Sequence, residues 1–69
     1  MFQTCIDQLV KVTLTNEEIK NTWVCGTLFV EGITESQAHK VFHRLSETLG
    51  LGKVQANYIG GGEYAFDFV

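Results

Sequence analysis

Apolar residues run almost without a break through the middle of the chain, from Trp23 to Val30. Side chains in a strand alternate between the two faces of a sheet. A continuous strand over residues 23–31 therefore directs Trp23 and Phe29 to one face and Leu28 to the other. Both faces are then apolar, which is typical of a strand buried on both sides. We expect this strand to be central in the fold and to need cover on each face.

The N-terminal residues 2–15 fit two patterns. A helix places residues 2, 5, 6, 9 and 10 on one apolar stripe, whereas residues 10–15 also alternate and are rich in β-branched side chains, as in a strand. We favour a strand over about residues 8–14, preceded by residues that extend it or form a helical turn. Thr15 and Glu18 then match a capping box, which predicts one short helical turn between two antiparallel strands.

A second capping box predicts the start of a long helix. Thr34 is placed as the N-cap with Gln37 three residues later. The apolar positions that follow recur at helical spacing and form one stripe: Ala38, Val41, Phe42, Leu45 and Leu49. This pattern predicts a helix over about residues 35–49.

The C-terminal third predicts a β-hairpin. Two alternating runs, residues 53–59 and 63–69, flank the glycine run 60–62. A phosphate-binding glycine loop needs a following helix, and here a strand follows, so the glycines are interpreted as a turn. The element order is β-β-α-β-β. The predicted fold class is a single α+β domain over residues 1–69, with a four-stranded antiparallel sheet and one long helix on one face.

Charge and composition narrow the classes of partner. The chain has 69 residues and a net charge of −3, with its few basic residues spread along the sequence, which disfavours nucleic acid as a partner because phosphate binding needs a basic patch. No apolar run reaches the ~20 residues of a membrane span. With no secretory signal at the N-terminus, Cys5 and Cys25 are interpreted as reduced, mostly buried thiols of a cytoplasmic protein. The alternative is a disulfide between them, which requires their strands to be neighbours.

The candidate chemistry is sparse. His39 and His43 stand four residues apart on the predicted helix, a spacing that can place two imidazoles on one metal ion. Glu35 and Glu47 extend this row, but the row winds round the helix and supplies no convergent third ligand. No serine or cysteine lies in an activating context. We therefore predict no enzyme activity and no cofactor, with the histidine pair as a weak metal candidate.

The predicted function follows from uncovered apolar surface. One helix about 10–12 Å wide cannot cover both faces of the sheet, and contiguous exposed apolar patches mark interaction sites. The predicted partner-binding residues are Trp23, Phe29, Tyr64, Phe66 and Phe68. The leading hypothesis is a small acidic, non-enzymatic protein-interaction module, a homodimer that regulates or inhibits another protein. One alternative is a small-ligand or metal-binding domain that uses the uncovered sheet face or the His39/His43 pair. The other is binding of single-stranded RNA through the C-terminal aromatic strand.

Overall fold

The computed structural model describes residues 2–15 and 19–68. Two helices and four strands follow in the order α1 (Phe2–Leu14), β1 (Lys20–Val24), β2 (Thr27–Glu31), α2 (Glu35–Leu49), β3 (Val54–Gly60) and β4 (Glu63–Phe68). The strands form one antiparallel sheet in the order β1-β2-β4-β3. The predicted α+β class and four-stranded antiparallel sheet are confirmed. The predicted order β-β-α-β-β with one helix is not matched, because a second helix, α1, precedes the first strand. The capping turn predicted from Thr15 to Glu18 lies mostly outside the described residues.

The strand predicted over residues 8–14 is wrong, because these residues belong to helix α1. Ile6, Val10 and Leu14 lie four residues apart and are buried on one face of the helix. Val12, which supported the strand interpretation, is 73% exposed. Burying an apolar stripe at helical spacing decides the structure here, since tertiary packing overrides weak local β-propensity.

The single central strand over residues 23–31 is also wrong, because the chain turns back in its middle. Cys25 and Gly26 both have positive φ, 51° and 80°, which is the signature of the two-residue type I′ hairpin turn. Trp23 pairs directly with Leu28 across the hairpin, and cross-strand partners share a face. Trp23 therefore lies on the same face as Leu28, and Phe29 lies on the other.

Both helices pack on one face of the sheet, and the core lies between the two layers. Residues of α1 and α2 join Leu28, Val30 and Phe66 of the sheet in one buried cluster. The side chains of Leu28, Leu45 and Phe66 are completely buried. The sheet thus has a helix-covered face and an open face. Among the described residues, neither helix has the length and apolar character needed to cross a membrane.

The second half of the chain folds as predicted. The Thr34 hydroxyl accepts a hydrogen bond from the Gln37 backbone N–H at 3.2 Å, and the Gln37 side-chain oxygen accepts one from the Thr34 N–H at 2.9 Å. This completes the capping box at the start of α2. β3 and β4 form the predicted hairpin, in which Tyr58 pairs with Tyr64.

Candidate functional site: a groove between α2 and β3

The two edges of the sheet are β1 and β3. β1 has five residues and carries the charged Lys20, and α1 bonds to its side chains through Asp7. β3 has seven residues, none of them charged. Charged side chains and short length are the usual protection of an edge strand against pairing with another chain. β3 therefore presents the less protected edge.

β3 is exposed on the helix side as well as at its edge. Residues 55–59 are all exposed, although Ala56 and Tyr58 point to the face on which the helices pack, opposite Phe66 and Tyr64. The pair of helices thus leaves this margin of the sheet without cover. The result is an open groove of about 970 Å³ between α2 and β3.

The middle of the groove is apolar. Ala38 and Phe42 of α2 line one side, and Val54 and Ala56 of β3 line the other. Ala38 and Val54 are buried, whereas Phe42 is half-buried and Ala56 is exposed. An apolar side chain of a partner placed here would lose contact with water against four apolar residues, which is favourable.

One end of the groove is aromatic and acidic, and we call it the tyrosine end (Glu35, Tyr58 and Tyr64). The two tyrosine rings lie 5.0 Å apart between centroids at an angle of 49°. Tyr58 is 64% exposed. Desolvation by neighbouring groups, followed by the negative charge of Glu35 and the proximity of Tyr58, raises the pKa of Tyr64 above its ordinary value of 10.0. The carboxylate of Glu35 thus acts electrostatically on Tyr64.

The structure does not bring the five predicted partner-binding residues together. Phe66 is completely buried and has no surface to offer a partner. Phe68 stacks on Trp23, with ring centroids 5.6 Å apart, and Phe2 packs edge-on against both. The Trp23 indole N–H donates to Asp7 Oδ1 at 2.9 Å. Helix α1 therefore covers Trp23 and Phe68, two of the residues for which the sequence interpretation sought cover in a second chain.

Phe29 and Tyr64 lie on opposite faces of the sheet, both half-buried. Phe29 is on the open face between Thr22 and Ala65. Around it the open face is mainly polar, and Asp67 there accepts hydrogen bonds from Thr27 at 2.6 Å and from Asn57 at 3.2 Å. Val24, which pairs with Thr27 and is 51% exposed, is a further apolar residue of this face.

His39 lines the groove on the α2 side, whereas His43 lies outside it. The ring centroids of His39 and His43 are 6.4 Å apart, in a shallow hollow that also contains Lys40, Arg44 and Glu47. The two cations beside the rings oppose the binding of a metal cation and outnumber the single carboxylate of Glu47. Over residues 2–15 and 19–68, no cluster of three or more histidine, cysteine, aspartate or glutamate side chains is placed to hold a metal ion.

The prediction of buried thiols is wrong, because Cys5 and Cys25 are both free and exposed. Cys5 lies on the side of α1 that faces away from the buried stripe. Cys25 lies in the β1–β2 turn, where its side chain meets solvent.

Comparison with protein-family models, with curated proteins and with solved structures gives no significant match for this chain. The site is therefore defined by its own geometry. The sequence interpretation identified Tyr64 but missed Glu35, Phe42, Ala56 and Tyr58 as groove residues. The sequence shows that residues 54–60 carry no charge, which was the available signal for an unprotected strand. Only the topology shows that this strand lies at an edge of the sheet.

Proposed function

We propose that this chain is a non-enzymatic protein-interaction module that binds an extended segment of another protein along β3. The bound segment adds a strand to the sheet and directs alternate side chains into the groove against α2. The observation that carries the proposal is the coincidence of an uncharged edge strand with an apolar groove on its helix side. Peptide recognition by strand addition combines these two features, since backbone hydrogen bonds give affinity and pockets for alternate side chains give specificity.

The dimensions fit a peptide strand. β3 pairs with β4 in regular register from Val54 to Tyr58, and the register shifts between Tyr58 and Gly60. The regular part extends over about 17 Å at ~3.3 Å per residue, which is enough for a segment of about five residues. An added strand satisfies backbone N–H and C=O groups along the β3 edge, each pair contributing about 0.5–1.5 kcal/mol net. Apolar side chains at alternate positions then contact Phe42 and Ala56.

Charge favours a basic partner. The chain carries a net charge of −3. Among the residues that the structure describes, Glu35 is the one acidic side chain that lines the groove. Complementary charge raises the rate of association and selects among partners. A module that occupies a segment of another protein in this way competes with whatever else that segment binds, which is the action expected of an accessory regulator or inhibitor.

The alternatives draw less support from the geometry. Small-ligand sites bury about 70–90% of the ligand surface, whereas one side of this groove is a free strand edge. Base stacking by the C-terminal strand needs exposed aromatic faces, and Phe66 and Phe68 are turned toward the helices. Pairing of the β3 edge with the same edge of a second copy would also form a homodimer.

The test begins with a displayed library of random ten-residue peptides selected on the immobilised chain. An enriched peptide is synthesised and added to the 15N-labelled protein, and amide hydrogen exchange is followed by NMR. We expect exchange to slow at alternate residues of β3 and to stay unchanged in α1, because only the outward-facing amides of an edge strand gain new partners.

Two substitutions provide a matched pair. Ala56→Arg places a long side chain in the groove at an exposed position, and we expect it to abolish binding. Thr22→Arg makes the same change of charge on the other edge strand, also at an exposed position, and binding should persist. Failure to enrich any peptide, or equal binding by both variants, contradicts the proposal. Slowed exchange in β3 that depends on protein concentration alone would assign the edge to a second copy.

A further inference from the structure

The tyrosine end gives the groove a direction. α2 runs from Glu35 to Leu49, and β3 returns from Val54 to Gly60, so the start of α2 and the end of β3 lie at the same end of the groove. A bound strand therefore meets apolar side chains in the middle and the tyrosine end beyond them. The two regions call for different side chains at defined positions of the same segment.

The chemistry of the tyrosine end suits a positive charge. The faces of aromatic rings carry negative potential and attract cations, and Tyr58 and Tyr64 lie 5.0 Å apart with Tyr58 largely exposed. Glu35 adds a full negative charge on the α2 side of the same end. A carboxylate beside two tyrosine rings favours an ammonium or guanidinium group over an apolar or acidic one.

We propose that the tyrosine end binds a lysine or arginine side chain of the partner segment, and that this contact sets the register of the segment in the groove. This inference rests on the proposed function, since it names the chemistry of the residue that the same groove selects. It predicts a segment with a basic residue at a fixed offset from one or two apolar residues at alternate positions.

The same peptide selection tests the inference. It is run in parallel on the parent chain, on Glu35→Gln and on Glu47→Gln. Glu47 is an exposed acid on the same helix that lies outside the groove, so its variant has the same net charge without changing the tyrosine end. We expect a lysine or arginine at one fixed position in peptides selected on the parent and on Glu47→Gln, and no such preference on Glu35→Gln.

A double-mutant cycle measures the contact directly. The enriched peptide and a copy with glutamine in place of its basic residue are titrated into each variant. Loss of Glu35 should weaken the basic peptide about fivefold, as expected for a partly exposed ion pair with an adjacent aromatic face, and should leave the glutamine peptide unchanged. Tyr58→Leu, which keeps apolar volume but removes the ring, should weaken the basic peptide similarly.

The outcomes separate the two proposals. Peptides that slow exchange in β3 but show no basic position, or a cycle in which Glu35→Gln and Glu47→Gln behave alike, overturn the inference and leave strand addition standing. Selection that yields no peptide, or peptides that bind away from β3, overturns the proposed function and this inference with it.

Discussion

Asp7 joins the N-terminal helix to the edge strand β1, and its removal should destabilise the whole domain. Its carboxylate accepts hydrogen bonds from Trp23 Nε1 at 2.9 Å and from Asn21 Nδ2 at 3.2 Å. Hydrogen bonds to a charged acceptor contribute about 1.5–3 kcal/mol each, and the half-buried site places them at the low end. Alanine favours the helix by ~0.6 kcal/mol relative to aspartate, which offsets part of this loss. We expect Asp7→Ala to lower the free energy of unfolding by about 2 kcal/mol.

A loss of this size is large for so small a domain. The free energy of unfolding of a domain is usually about 0.05–0.15 kcal/mol per residue. For a domain of this length, the loss expected for Asp7→Ala lowers the midpoint of thermal unfolding by about 8–16 °C. The assay is urea unfolding followed by fluorescence of Trp23, the single tryptophan, with far-UV circular dichroism as a second probe. Asp7→Asn keeps an acceptor oxygen and should lose about half as much.

Gln8→Ala is the matched control. It removes an exposed side chain from the neighbouring position of α1 and should change the free energy of unfolding by less than about 0.5 kcal/mol. A loss below about 0.5 kcal/mol for Asp7→Ala would refute the reasoning, because it would mean that the two hydrogen bonds do not hold α1 on the sheet.

Three further predictions concern single positions. The pKa of Glu63 is raised above its ordinary value of 4.5, first by desolvation and then by the hydrogen bond with Glu31 and the charge of that residue. A raised carboxyl pKa contributes stability that is complete below the unfolded value and is lost as pH rises through the folded value. Glu63→Gln should therefore gain stability relative to the parent between pH 4 and pH 7, and thermal unfolding across that range checks it. Cys25→Asn should stabilise the hairpin by about 0.5–1 kcal/mol, because asparagine tolerates the positive φ of 51° better, whereas an unchanged urea midpoint would speak against it. Thr34→Ala breaks the capping box and should cost about 1 kcal/mol in the same assay, and a cost near zero would show that Gln37 alone caps the helix.

The second half of the fold could be predicted because its signals are local. The capping box of Thr34 with Gln37 and the helical stripe after it fixed α2 to the residue, and the glycine run fixed the β3–β4 turn. Each of these depends on residues within a few positions of one another, where backbone geometry and side-chain spacing act directly.

The first half could not be predicted from the same kind of reasoning. Residues 2–14 carry both a helical stripe and a β-branched run, and only packing against α2 and Trp23 chooses between them. The turn at Cys25 carries no strong turn residue before Gly26, so the apolar run concealed a hairpin. Because this turn was not recognised, the sequence interpretation placed Trp23 on the face opposite Leu28. The argument for a dimer used that placement.

The amino-acid sequence by itself determined the class of the fold, the long helix, the C-terminal hairpin and the negative charge, since each is set by composition or short-range spacing. The tertiary structure decided which strands lie at the sheet edges, which face is covered and where a groove stays open. These properties depend on contacts between residues far apart in the chain, such as Asp7 with Trp23 and Leu28 with Phe66, which no local pattern encodes.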